Sequence, residues 1–321
     1  MMDTSNWNRG WQLITHSLAV FQKYPLFIVP ILMVWCIYAP TVLFLKYGFP
    51  WQHFDTAQTM AILFVVIFIL SFAIVLSCDI LLEMIKQMED GEPSLRAALS
   101  RTFSKDLTSL LALAFAWGAI WFALTVIEAL VSGRRKDDDN DQEFNARNAA
   151  ETIANFGQFS LSRAFFEALQ KGIRMVVFLI LPAIAWENMN FIDATKKGLA
   201  VLRAHLAVFA SGYALTYAAA AIAFLPPALL FTFGTSHHGQ PPLFQVPDFL
   251  WACCIVYIGL AWSFCLYLEQ MSMAELYLWH QKWERAFEVA RLSTRPLPAF
   301  KDIEPPVLLV NVSNLFSQAS R

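Results

Sequence analysis

Four carboxylates stand where long apolar runs come to an end: Asp79, Glu83, Glu187 and Glu269. Asp79 and Glu83 are four residues apart, so a helix places both on one face. Glu187 follows LILPAIAW and Glu269 follows SFCLYL. An ionisable group at that depth in a bilayer is costly unless it is paired or hydrated. Two chemistries suit such a set. One is a ring of acids that binds a cation or relays protons. The other is pairing with Lys86, Arg101, Lys196, Lys197 or Arg203, which would fix the angle of flanking helices to the bundle. The second is the less demanding, because snorkelling and interfacial water lower its cost. Glu128, near the opposite end of its run, is expected to reach the headgroup zone rather than act as a base.

Other reactive groupings are missing from the chain. His237 and His238 lie in a Gly- and Pro-containing loop with no third ligand beside them, which is too few for a metal site. His16, His53, His205 and His280 read as interfacial. The five cysteines (Cys36, Cys78, Cys253, Cys254 and Cys265) fall inside apolar runs, with no CxxC pair and no disulfide framework. There is no HExxH, no GxSxG elbow, no P-loop and no dinucleotide fingerprint. No cofactor, metal or enzymatic activity is expected.

The elements that must hold the acids follow from composition. Hydrophobic residues make up 57% of the 321 and charged residues 15%, with 28 Phe and 11 Trp; the mean hydropathy is +0.49. That balance defines an all-α polytopic membrane bundle. A net charge of −2 gives no field for nucleic acid. A bilayer core takes about 20 apolar residues per helix. Six spans fit, at about 25–46, 60–85, 107–131, 171–190, 206–233 and 249–279, followed by a tail from 283 to 321. The fourth is the weakest, since its apolar stretch from Met175 to Trp186 is short and must extend one way or the other. Pro226-Pro227 should break or kink the fifth, because each proline lacks a backbone donor.

Lys and Arg set the orientation. Loops 47–58 and 234–248 contain neither, whereas Lys23, Arg96, Arg101, Lys105, Lys196, Lys197 and Arg203 all flank the other side. Both termini are therefore expected in the cytoplasm, and the N-terminus, lacking a basic region, apolar core and cleavage site, reads as retained. An insert at 132–170 resists the rule, with Arg134, Arg135, Lys136, Arg147 and Arg163, but the even span count and the other loops place it outside. It opens with the charged run SGRRKDDDNDQEFNAR, a solvated loop, and continues into an amphipathic stretch marked by Ile153, Phe156, Leu161, Phe165 and Leu169.

Three segments align without gaps: WQLITHSLAVFQKYPL from Trp11, PSLRAALSRTFSKDLT from Pro93 and IDATKKGLAVLRAHLA from Ile192. Phe21, Phe103 and Leu202 fall in register, as do Leu13, Leu95 and Ala194. Each segment is amphipathic at a helical period and feeds an odd-numbered span that returns through an even-numbered one. The unit is a cytoplasmic amphipathic helix plus a transmembrane hairpin, used three times.

With Phe21-x-Lys23-Tyr24-Pro25 ahead of Pro30, the turn Glu89-Asp90-Gly91-Glu92-Pro93-Ser94, and Pro182-Ala-Ile-Ala-Trp-Glu187 before the third amphipathic segment, residues 5–280 resemble a broad group of bacterial six-span membrane proteins. That group is similar in pattern to the membrane domain of glycerophosphodiester phosphodiesterases. The resemblance implies a bacterial inner membrane and no particular reaction. The acidic insert and the tail depart from the pattern.

The expected function is a non-enzymatic scaffold. The basic amphipathic helices would bind anionic lipid through Lys23, Arg96, Arg101, Lys105, Lys196, Lys197 and Arg203. Partner proteins would dock on those helices or on the 297–321 tail, where Val307–Val312 reads as a short strand or docking peptide. The alternative is a small-solute or ion transporter using Asp79, Glu83, Glu187 and Glu269. A membrane-embedded lipid enzyme would need a nucleophile or metal cluster that the chain lacks.

Overall fold

A computed structural model describes residues 4–88, 92–133, 161–234, 247–293, 296–304, 306 and 308. Helix α1 (Thr4–Lys23) gives way to a 3-10 turn (Pro25–Ile28) and α2 (Val29–Leu43), which ends in a π turn (Phe44–Gly48). Then come α3 (Thr56–Gln87), α4 (Leu95–Arg101), a second π turn (Thr102–Asp106) and α5 (Leu107–Gly133). The remainder is α6 (Leu161–Glu187), α7 (Phe191–Ala204), α8 (Leu206–Gly234), α9 (Asp248–Leu292) and a 3-10 turn at Phe300–Asp302. No strand occurs among the described residues. Among the described residues, six helical stretches are long and apolar enough to cross a membrane: Pro25–Leu43, Thr56–Gln87, Leu95–Ala129, Phe165–Glu187, Leu206–Thr232 and Phe249–Leu292. The chain is a multi-pass, all-helical membrane protein.

The polypeptide forms two compact units, one from Met1–Trp35, Ile85–Pro93 and Ala200–Arg321, the other from Cys36–Met84 and Ser94–Leu199. In the first, α1 packs on α8 and α9. Its period puts Leu13, Ser17 and Val20 on the buried face and leaves Trp7 and Trp11 exposed. Gly10 allows the close approach to α8, since a Cβ there would overlap the Ser211 side chain. In the second unit α3 meets α5 through edge-to-face rings, Phe64 against Phe115 and Phe122 with centroids 5.8 and 5.5 Å apart. Trp186 of α6 donates its indole N–H to the Leu82 carbonyl of α3 at 3.0 Å.

Three expectations need correction. The fourth span takes its missing length from upstream: α6 is continuous from Leu161, so Phe165 and Leu169 belong to the spanning helix and not to a separate amphipathic one. It also stops at Glu187 rather than 190. Asn188 adopts φ 51°, and Met189 N–H returns to the Ala183 carbonyl at 3.2 Å, a left-handed cap that ends the helix. Second, Pro226-Pro227 does not break α8, which runs on to Gly234. Pro227 deprives the Ala223 carbonyl of its helical donor, and the Tyr257 hydroxyl replaces it at 2.9 Å. Third, α9 extends to Leu292 rather than 279, so residues 283–292 are helix and not tail. The amphipathic segment at Leu95 feeds its span directly, through the π turn. Most of the acidic insert (134–160), His237-His238, the 89–91 turn and all of 307–312 except Leu308 lie outside the described residues.

Candidate functional site

Three of the predicted acids, Asp79, Glu83 and Glu187, are held at the bases of the amphipathic helices. In the second unit, Asp79 is fully buried on α3 and accepts a hydrogen bond from the Thr102 hydroxyl at 2.8 Å. One turn on, Glu83 faces Arg101, with Nη1 3.6 Å from Oε2. Both partners lie at the α4–π junction. The π turn adds a residue to the helical repeat, and Thr102 and Asp106 are buried there while Lys105 is exposed.

Glu187, the last residue of α6, receives Lys197 Nζ at 2.8 and 2.7 Å on its two oxygens. This contact depends on a tight turn. The left-handed Asn188 ends α6, then Asn190 opens α7 by accepting Asp193 N–H at 3.0 Å while its side-chain amide donates back to Asp193 at 2.8 Å. Lys196 also reaches Asp193, at 3.1 Å, and these two bonds hold the exposed Asp193 carboxyl below its ordinary range, that from Asn190 contributing most. Close packing of α7 on α6 requires Gly198, where a Cβ would come within 3.1 Å of Ile180 Cα. A polar recess of about 440 Å³ lies beside this turn, lined by Lys105, Asp106, Ser109, Asn188, Met189 and Asn190.

In the first unit an acid that the sequence reading did not single out, Glu275, meets an amphipathic helix. Glu275 is fully buried on α9, and His16 Nδ1 of α1 stands 3.7 Å from its Oε2. Ser17 Oγ donates to it at 3.5 Å, and Tyr267 donates to the Ser17 carbonyl at 3.0 Å. The Glu275 carboxylate beside it raises the His16 pKa above its ordinary value against the opposing effect of burial. Glu269 is itself buried on the same helix.

A second histidine contact went unread in the sequence. His205, at the α7–α8 junction, lies 2.8 Å from His280 (Nε2 to Nδ1), and His280 Nε2 lies 3.1 Å from Glu284. Burial first, then the His280 and Arg9 charges, push the His205 pKa down to about 4, so it is neutral near pH 7. No group of three or more potential ligands able to hold a metal occurs among the described residues.

The seven candidate lipid or partner cations divide by geometry. Arg101 meets the buried Glu83, Lys197 the half-buried Glu187, Lys196 meets Asp193, and Lys23 stands 5.3 Å from the centre of the Tyr24 ring. Arg96, Lys105 and Arg203 are exposed and form no ion pair among the described residues. Chemically, these contacts neutralise acids and tie the amphipathic helices to the helices that carry them.

The architecture defines a polytopic helical membrane protein whose buried acids face helices that precede its spans. No family model matches the chain, and no characterised protein or solved structure matches it.

Proposed function

We propose that this chain is a non-enzymatic scaffold of the bacterial inner membrane, with both termini in the cytoplasm, which organises anionic lipid and partner proteins through three interfacial helices. The observation that carries the reading is the position of the three helix-to-span junctions. In the gapless register of the three segments, Tyr24, Asp106 and His205 occupy one column. Helix α1 ends at Lys23, the π turn ends at Asp106 and α7 ends at Ala204, so the next apolar helix begins at Pro25, Leu107 and Leu206. Those three residues share the following column. Val20, Thr102 and Val201 share another and are all buried.

The acid contacts follow the same order. Each amphipathic helix meets the carboxylate of the returning helix of the preceding hairpin: Arg101 with Glu83, Lys197 with Glu187, and the first with the third through His16 and Glu275. His16 and Lys197 occupy the same register column. This supports a threefold repeat of helix plus hairpin. It also favours anchoring over ion transport, since Asp79, Glu83 and Glu187 are engaged by Thr102, Arg101 and Lys197. Anchored in this way, α1, α4 and α7 leave Arg96, Lys105 and Arg203 exposed alongside the exposed Trp11, Phe103 and Ile192, a combination suited to an anionic lipid surface.

The test is lipid retention. Protein purified in mild detergent from membranes containing phosphatidylglycerol and phosphatidylethanolamine is expected to retain the anionic lipid preferentially. The triple variant Arg96→Gln, Lys105→Gln, Arg203→Gln is expected to lose that preference while keeping its helix content. Equal retention of both lipids by the wild type, or an unchanged preference in the variant, overturns the reading.

A further inference from the structure

The far end of α9 is already gripping a peptide, and the manner of the grip is informative. Residues 298–304 lie back along this helix. Trp283 donates its indole N–H to the Pro298 carbonyl at 3.1 Å, Trp279 donates to the Ile303 carbonyl at 2.9 Å, and Lys282 Nζ reaches the Glu304 carbonyl at 3.1 Å. Residues 279, 282 and 283 lie three and four apart, so these donors form one stripe on the helix. Between the anchored carbonyls, the Phe300 ring sits 4.4 Å from Trp279 and 3.7 Å from His205, centre to centre, with Trp283 at 6.5 Å. Two indoles and an imidazole, the latter held by His280, thus make a pocket for one aromatic ring.

All three donors take backbone oxygens. Of the side chains between 297 and 304, Leu297, Ala299, Asp302 and Glu304 are exposed, and Phe300 is the one seated among aromatic rings. Ala299 is in the polyproline conformation (φ −74°, ψ 150°), and a 3-10 turn closed by Asp302 N–H on the Ala299 carbonyl presents the ring. Prolines at 296, 298, 305 and 306 bracket the segment and stiffen it before it binds. Indole donors to backbone carbonyls beside an aromatic-lined slot are the usual means of reading proline-rich strands, since such strands lose little entropy on binding.

We propose that the face of α9 bearing Trp279, Lys282 and Trp283 is a peptide-recognition groove for proline-bracketed aromatic segments of partner proteins, held shut in the resting chain by its own residues 298–304. The groove reads carbonyl spacing and one ring, so its own tail holds no privileged chemistry. Its advantage is the short tether from Leu292, which sets a local concentration on the order of millimolar. A partner gains the groove when the tail is drawn off. This proposal is independent of the lipid-binding reading.

The test uses the full-length protein with a protease site inserted between Ser293 and Pro296, cut after purification and passed over a sizing column. A fluorescent peptide of residues 295–306 is added in excess, along with its Phe300→Ala form. A third peptide keeps the prolines and Phe300 and has serine elsewhere. The native and serine peptides are expected to bind cut protein within about tenfold of one another. The Phe300→Ala peptide is expected to bind at least tenfold more weakly, and the uncut chain to take up none. The proposal is overturned if cut protein binds neither of the first two, if Phe300→Ala binds equally well, or if the native sequence alone is accepted. Tryptophan emission, followed in parallel, should shift on cutting and return on peptide binding.

Discussion

Lys197 grips both oxygens of Glu187, at 2.8 and 2.7 Å, across a turn that reverses the chain within ten residues. The two side chains are 23% and 17% exposed, enough for water to moderate the cost of burial and too little for either charge to be left alone. Their contact sets the angle at which α7 leaves α6. Arg101 with Glu83 and His16 with Glu275 are looser versions of the same device, at 3.6 and 3.7 Å.

Breaking that contact should therefore act on stability first. Lys197→Met leaves Glu187 partly buried without its cation, and an expected loss of about 1–3 kcal/mol follows from an unsatisfied charged acceptor. The double variant Lys197→Met, Glu187→Gln should recover most of it, because no charge is then stranded. Unfolding in mixed micelles of increasing denaturing detergent would measure both. A double variant no better than the single one would show that the ion pair is not the source of the effect.

The Asp79 contact predicts a sharper chemical distinction. Thr102→Val keeps the shape and removes the donor, at an expected cost of about 1–3 kcal/mol. Thr102→Ser keeps the hydroxyl and should cost less than half as much. Equal loss in the two would mean that packing of the Thr102 methyl, rather than its bond to Asp79, matters at the π turn.

Tyr257 should show why two adjacent prolines are tolerated within α8. Tyr257→Phe strands the Ala223 carbonyl opened by Pro227, with an expected cost of about 0.5–1.5 kcal/mol. Replacing Pro227 with alanine in the Tyr257→Phe background restores the intrahelical donor, and thermal unfolding should return to or above the wild-type value. If the added alanine leaves the Tyr257→Phe midpoint unmoved, the hydroxyl is not standing in for a lost helical bond.

Two histidines should give opposite pH slopes. His205 is held at about 4 in the folded chain against an ordinary 6.5, so between those values the unfolded chain binds the extra proton and stability falls as pH drops. His16 is raised by Glu275, so its contribution is complete below 6.5 and is lost as pH rises through its folded value. Thermal midpoints measured from pH 4 to 8 should therefore lose their acid-side fall in His205→Asn. In His16→Asn they should lose a decline on the neutral side. Parallel profiles for both variants and the wild type would contradict the two assignments.

How much of this was legible beforehand depended on range. The six spans could be read because uncharged runs such as that from Pro25 to Leu43 and that from Leu206 to Phe233 leave no other reading of length and hydropathy. The amphipathic faces of α1 and α7 were visible in the spacing of Leu13, Ser17 and Val20 and of Ala194, Gly198 and Val201. Pairing of Glu187 with a nearby lysine could be listed among the options because the two are close in sequence. Contacts between residues far apart in sequence could not be read at all. His16 with Glu275 and His205 with His280 are 259 and 75 residues apart, and each residue alone reads as an ordinary interfacial side chain. The Tyr257 rescue of Ala223 was hidden for the same reason, which is why the prolines looked like a break. The bond from Trp283 to Pro298 was missed because the sixth span was ended at 279, leaving that part of the helix to be taken for tail.

Helix α9 extends unbroken for 45 residues, about 67 Å at 1.5 Å per residue, roughly twice the thickness of the hydrocarbon layer. It contains no proline, so no residue along it removes a backbone donor, and a sharp kink would cost backbone bonds. Phe249 at one end and Trp283 near the other are thus fixed to a single strut. Tilting or turning the strut from either side of the bilayer swings the tail-binding end with it, so a purely mechanical disturbance in one compartment has a lever arm into the other.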